Sequence, residues 1–413
     1  MFKVRGVVML GLSNAVSQFG DRLTHMVIVT FIGAFAPGRV SAYSEFSVAF
    51  SLPIILLAPF VGIFVDHWNK RSVMLNFHLV QALLIALTPT FIHLTHSLVP
   101  VWVLVVLFFG LDAFNNTARS TVVPDIVGYQ DLVPANALIT TMARVATFAG
   151  MVGGGYLIKW VGWSPGFYID ASTHACAGLL ALGIGARLQF EPVKRFELPL
   201  GKRLRSALAI FLTDLKELGL LVARDRAVIF VMISVFALPF VAATSYTLLI
   251  YLIQQTFKMG AAGVGLFGGI IGIGMLAGGI AMGFIGTRIV RGPVIIAATG
   301  ILAAAFLIGP LLISPWFLYV IAFVAGTTFS FIGISQDTIL QEDVMRGIRG
   351  RIFSTKEFLT NVVFTTSAVA VGITSGRLQP YTIIAIVGAI LAVMTAILAI
   401  LYWSIPTDVR KRL

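Results

Sequence analysis

Charge is scarce in this chain. Only 11% of its 413 residues are charged and 58% are hydrophobic. A soluble domain carries ~25% charged residues, so a free-standing soluble enzyme or binding module is excluded. The mean hydropathy of +0.97 agrees. Cysteine is scarcer still. Cys176 is alone, which excludes an intramolecular disulfide and any cysteine-based metal cluster. The six histidines, at 25, 67, 78, 93, 96 and 174, show no metal-ligand spacing with cysteine or paired carboxylates. Gly150-Met151-Val152-Gly153-Gly154-Gly155 is not followed by Gly-Lys-Ser/Thr, so it is no phosphate loop, and ATP-driven transport is not expected. No enzymatic constellation and no cofactor site emerges. Acidic residues are few, 17 against 29 bases, for a net charge of +12. The bases lie in short loops between apolar runs. That pattern reports membrane topology and not a nucleic-acid partner.

What the chain has is long apolar runs. They occur near 6–34, 42–65, 72–92, 100–123, 135–158 and 165–187, then near 227–256, 261–285, 293–313, 315–339, 354–376 and 380–403. Each is close to the ~20 residues a helix needs to cross a bilayer. The expectation is an all-α integral membrane protein with twelve transmembrane helices. Placing the N-terminus in the cytoplasm puts 23 of the 29 Lys and Arg residues on the inner side and leaves Arg39, Lys159, Lys258 and Arg377 outside. That asymmetry is the positive-inside signature of a multi-pass protein of the cytoplasmic (inner) membrane with both termini in the cytoplasm. Trp102, Trp160, Trp163 and Trp316 fall at expected outer ends and Trp403 at an inner end, as interfacial anchors do.

Residues 188–226 are the one long polar stretch. There Arg203, Arg205, Asp214, Lys216 and Glu217 alternate with Leu204, Leu208, Phe211 and Leu215, the pattern of an amphipathic helix on the inner surface. This cytoplasmic linker divides a six-helix half, 1–187, from a second, 227–403, and leaves a basic cytoplasmic tail at 404–413. Two such halves suit a parallel repeat that moves its substrate by alternating access.

Polar residues inside the runs mark the interior. An ionisable group at a helix centre costs at least ~2.5 kcal/mol, so it faces a wet or paired environment. Asn14, Gln18, Asp21 and His25 are spaced 4, 3 and 4 apart on one face of the first span, with Arg22 adjacent. Asp112, Asn115, Asn116 and Arg119 repeat the device in the fourth span, and Arg144 lies in the fifth. A network joining spans 1, 4 and 5 around a coupling and substrate cavity is expected, with Asp21 as a proton or cation site. A structural ion pair between Asp21 and a base on another helix is the competing reading. Asp170 and Asp337 are weaker candidates. The second half is less charged. It offers Thr244, Tyr246, Gln254, Gln255 and Asn361, with glycine pairs of G-x-x-x-G spacing at 265/269, 274/278 and 279/283 that allow close helix packing.

Between spans 2 and 3 lies Gly62-Ile-Phe-Val-Asp66-His-Trp-Asn69-Lys70-Arg71. It resembles the loop signature G-x-x-x-D-x-x-G-R-[KR] of the major facilitator superfamily, with Asn69 in place of the second glycine. Further likeness is carried by Ser17-Gln-Phe-Gly20-Asp21, by Ala118-Arg119 through Pro124-Asp125-Ile-Val127, by Pro134-Ala-Asn136-Ala, by Gly166-Phe-Tyr168-Ile-Asp170-Ala171 and by Arg349-Gly350-Arg351-Ile-Phe-Ser354. The chain is most similar to the drug:proton antiporters that include macrolide and enterobactin exporters. Where those carry a Gly-Pro step in span 5, this chain has Gly150-Met151. Bacterial lysophospholipid transporters share Phe19-Gly20-Asp21 and are the second resemblance. The resemblance implies a monomeric, proton-coupled (or sodium-coupled) exporter of an amphipathic small molecule. It also implies a cytoplasmic gate made by Gly62, Asp66, Lys70 and Arg71, with Asp66 meeting the start of span 11 near Arg351. A lysophospholipid transporter or flippase is one alternative. A non-transporting scaffold or receptor of the same fold is another.

Overall fold

The computed structural model describes residues 2–127, 132–184, 200–224, 226–285, 289–312, 314–343, 349–406 and 410. In hydrocarbon a backbone must satisfy its own N–H and C=O groups, which leaves helices as the solution for these runs. The first half forms α1 (Phe2–Phe35), α2 (Val40–His67), α3 (Lys70–Thr95), α4 (Val99–Val127), α5 (Leu132–Val161) and α6 (Trp163–Ala181). The linker forms α7 (Leu200–Arg224). Beyond it come α8 (Arg226–Val235), α9 (Ala237–Thr244), α10 (Gly260–Ile285), α11 (Arg291–Ile308), α12 (Pro315–Asp343), α13 (Arg349–Thr374) and α14 (Pro380–Ser404).

Among the described residues nine helical stretches are long and apolar enough to cross a membrane. The remaining expected spans, α1, α5 and α6, are helices of 34, 30 and 19 residues. Their polar content, not their length, sets them apart. The seventh span, expected as one run, is interrupted. Pro239 lacks an N–H and so cannot bond back to the carbonyl of residue 235, where α8 stops. After α9 come two π-helical turns, Ser245–Leu249 and Leu252–Thr256.

Local sequence explains the turns. Asn69, the residue that departs from the loop signature, caps α3 by accepting a hydrogen bond from Ser72 N–H at 3.1 Å. A side-chain cap replaces the freedom a glycine would supply. Gly162, at φ 84°, reverses the chain in a single residue between α5 and α6.

Contacts divide the chain into two units. Unit 1 comprises 1–37, 49–209 and 258–266, and unit 2 comprises 38–48, 210–257 and 267–413. In unit 1, α1 packs on α5 and α6, and α3 on α4 and α6. Val65, Ala118, Val122, Ala181 and Ile184 are fully buried in its core. In unit 2, α11 packs on α12 and α14 around Ala237, Leu248, Leu302, Ile332 and Leu391. There α10 and α12 touch through glycine. A side chain at Gly274, Gly278 or Gly326 would strike the opposing backbone. Thr327 Oγ1 donates to Gly274 O at 3.1 Å and Ser330 Oγ to Met275 O at 2.6 Å. The 274/278 pair is therefore a packing contact, whereas positions 279 and 283 face open space.

Candidate functional site

The polar face of α1 is divided between two neighbours within unit 1. One set looks towards α4. Arg119 Nη1 donates to Asn14 Oδ1, and Asn116 Nδ2 donates to Asp112 Oδ2 at 2.7 Å. Asn14, Gln18, Asp112, Asn115, Asn116 and Arg119 line a common cleft, as do Ser13, Ser17 and His78. It encloses about 300 Å³ of non-atom space, of which about 20 Å³ is open to the centre of a water molecule. By the usual measure of ~10–15 Å³ per water, this space holds a water or two. It is a polar well and not a seat for a drug-sized molecule.

The other set looks towards α6. Asp21 is 4% exposed, and Asp170 and His174 are fully buried. His174 Nε2 lies 3.5 Å from Asp21 Oδ1 and 3.7 Å from Asp170 Oδ1. Thr24 Oγ1 donates to Asp170 Oδ2, and Thr173 Oγ1 approaches Asp170 Oδ1 at 3.1 Å. Gln18 Nε2 donates to Asp21 Oδ2 at 3.0 Å, so Gln18 touches both the cleft and the buried carboxylate. Farther along, Ser13 Oγ donates to Ala177 O at 2.8 Å. Asp21 Oδ1 and both ring nitrogens of His174 have no hydrogen-bond partner. Groups buried this way are costly unless a proton, ion or water completes them.

A third element links the two sets. His78 of α3 lines the cleft, and its ring centroid lies 5.6 Å from that of His174. His78 Nδ1 sits 3.1 Å from Gln81 Oε1, which accepts from Asn115 Nδ2 at 2.9 Å. Phe108 closes the other side of His174, edge to face at 5.0 Å.

Six of the expected cavity residues on α1 and α4 therefore converge on the cleft, and Asp21, Arg22, His25 and Arg144 do not line it. Arg144 is exposed and does not line the cleft; α5 reaches α1 instead through Thr147 Oγ1 and Gln18 Oε1, at 3.4 Å. His25 lies between the rings of Phe50 and Phe109, at 6.1 and 5.9 Å, with Asp21 turned towards α6. Arg22 is half-buried and near enough for its charge, with those of Asp112 and Arg119, to reach Asp21. His78 and His174 were missed. Their signals were present in the sequence: His78 and Gln81 one turn apart in an apolar run, and Asp170 and His174 at i, i+4 in another.

At the loop between α2 and α3, Lys70 Nζ bonds Asp125 Oδ2 at 2.8 Å and Thr121 O at 3.1 Å, and Arg71 Nη2 bonds Leu182 O. Both bases thus tie the start of α3 to α4 and to the end of α6. Gly62 faces open space. The side chains of Asp66 and Arg351, and Thr287 with its loop, lie outside the described residues.

Charge-bearing polar groups sealed among apolar helices suit a membrane transporter. The Major Facilitator Superfamily pattern matches residues 10–362, and the chain belongs to that superfamily. The relatives and solved structures it resembles are named as transporters. Uncharacterised MFS-type transporters of Mycobacterium bovis and Mycobacterium tuberculosis are each 29% identical to it over 137 residues, 32% of this chain and 31% of theirs. The match thus spans about a third of these curated relatives. Solved structures share the fold at low identity. A POT family transporter in complex with a thioalcohol-conjugated peptide has a TM-score of 0.74 at 11% identity, covering 96% of both chains. A bacterial homologue of the iron transporter ferroportin, in an inward-facing state, has 0.68 at 12%, covering 97% of this chain and 98% of its own. The nucleoside transporter NupG has 0.66 at 14%, covering 98% and 99%.

Proposed function

We propose that this chain is a proton-coupled secondary transporter that exports an amphipathic small molecule across the cytoplasmic membrane by alternating access. The observation that carries the reading is Asp21, a carboxylate 4% exposed whose Oδ1 is left without a donor beside a water-sized polar well. Stability alone does not account for such a group, because apolar replacement of buried charge is often neutral or stabilising. A group that binds and releases a proton during transport does account for it. The well also accommodates the hydrated path by which the proton arrives. The distribution of Lys and Arg supports cytoplasmic termini and hence the inner membrane. The test is reconstitution in proteoliposomes under an imposed pH gradient, with proton flux followed while a panel of amphipathic compounds is added. Compound-dependent proton flux supports the reading; transport indifferent to the pH gradient contradicts it.

One observation favours a lipid-like substrate within the same reading. Unit 2 holds an apolar recess of about 510 Å³, lined by residues that include Leu249, Leu252, Phe306, Phe317, Ile321 and Ile384. An acyl chain matches its lining, so lysophospholipids belong in the panel.

A further inference from the structure

We propose that His174 and Asp170 of α6 form, with Asp21, a buried proton-binding site that is loaded from the cleft through His78. The proposal rests on the proton-coupled reading above and assigns to it two residues on a different helix. The charges that surround the site are few. Asp21 and Asp112 are answered by Arg22 and Arg119, and the other three all lie within electrostatic reach of Asp21. Asp170 is the third acid. Among the described residues no Lys or Arg pairs with it; the charged group that reaches it is Asp21, of the same sign. Its direct partners are the hydroxyls of Thr24 and Thr173 and, 3.7 Å away, the His174 ring. From α3 the facing titratable group is His78, from α4 they are Asp112 and Arg119, and α5 presents Thr147 while its Arg144 and Lys159 are exposed.

A fully buried carboxylate without a counter-charge is expensive. One proton shared among Asp21, Asp170 and His174 removes that charge. It also satisfies His174 Nε2 and Asp21 Oδ1, which otherwise have no hydrogen-bond partner. The separations of 3.5 and 3.7 Å exceed a hydrogen bond by less than an ångström. A small shift of the ring towards either carboxyl therefore makes a bond, and the imidazole can hand a proton from one to the other. The step involves a proton alone: it leaves a carboxyl oxygen, rides on a ring nitrogen and arrives on the second carboxylate. His78 touches the well and its ring lies tilted beside that of His174, centroids 5.6 Å apart, which gives the proton a way in. Gln18, bonded to Asp21 and lining the well, senses what occupies the well.

The test needs no transport. Infrared difference spectra of the purified, substrate-free protein, recorded across a pH step with and without deuteration, report protonated buried carboxyls through their C=O stretch. The wild type is expected to show such a band, with Asp170→Asn removing or strongly reducing it and His174→Gln shifting it. Thr24→Val keeps every titratable group and removes one donor to Asp170, so it should shift the band in a protein that folds. Absence of the band from the wild type, or a band unchanged in both Asp170→Asn and Thr24→Val, overturns the proposal. Proton-driven transport together with no band would sink this site and leave the transport reading standing. A band that responds as expected in a protein without proton-driven transport would do the reverse.

Discussion

Gly20 is the most sensitive point at which α1 meets the buried cluster. A methyl group there would stand 3.3 Å from His174 Nε2 and would overlap Thr173 Oγ1 and Asp170 Oδ1. The substitution Gly20→Ala replaces no titratable group, yet it forces α1 and α6 apart or rotates Thr173 away from Asp170. Overpacking of this kind costs ~1–3 kcal/mol, and loss of the Thr173 hydrogen bond adds ~0.5–1.5 kcal/mol if the rotation occurs. Gain in helix propensity returns ~1 kcal/mol. A net loss of about 2 kcal/mol follows, roughly a thirtyfold shift in the equilibrium. Gly153→Ala is the matched control, since a methyl at Gly153 on α5 meets nothing within 4 Å. Unfolding of both variants in detergent, followed by tryptophan fluorescence, should show Gly20→Ala clearly destabilised and Gly153→Ala unchanged or slightly more stable. In proteoliposomes Gly20→Ala should also lose pH-driven transport. Equal stability and equal transport in the two variants would refute the close α1–α6 contact and the site built on it.

Other outcomes follow from the loop between α2 and α3. Asn69→Ala removes the α3 cap and should cost ~1 kcal/mol, against a few tenths for Asn69→Gly, measurable by the same unfolding assay. Asp66→Ala should express normally, transport poorly and increase access of cysteine probes to the inner cavity, because helix-end interactions of a carboxylate are worth only ~0.3–2 kcal/mol. Thr287→Ala, at the matching place in the second half, should do little; equal effects of the two would make Asp66 structural.

The sequence discloses faces and withholds partners. Asn14, Gln18 and Asp21 are legible as one stripe on α1 because helical spacing is a local property. Asp112, Asn115, Asn116 and Arg119 are legible for the same reason, and the structure brings them to one cleft with Asn14 and Gln18, while Asp21 turns towards α6. Which helix faces Asp21 is set by packing between residues more than 140 positions apart, and periodicity carries no such information. Hence Arg144 and His25 were expected at the network, whereas Thr147, His78 and His174 are the residues there. A solitary histidine in an apolar run is discounted when only metal spacing is sought, although an ionisable group in a span is a functional candidate by its cost alone. The break in the seventh span was readable from Pro239; the π-helical turns after it were not, since no residue pattern dictates them. The apparent flaw in the loop signature, Asn69 for glycine, is resolved by a cap that the sequence Asn-Lys-Arg-Ser already contained.

On the proposed reading Asp21 couples a proton to transport. Its most direct test is Asp21→Asn in proteoliposomes, with substrate binding and pH-driven accumulation measured on the same preparation. The variant keeps the volume of the side chain and removes its charge. Binding should survive while accumulation against a gradient is lost. Undiminished pH-driven accumulation in Asp21→Asn would contradict it and move the coupling site elsewhere, to Asp112 first.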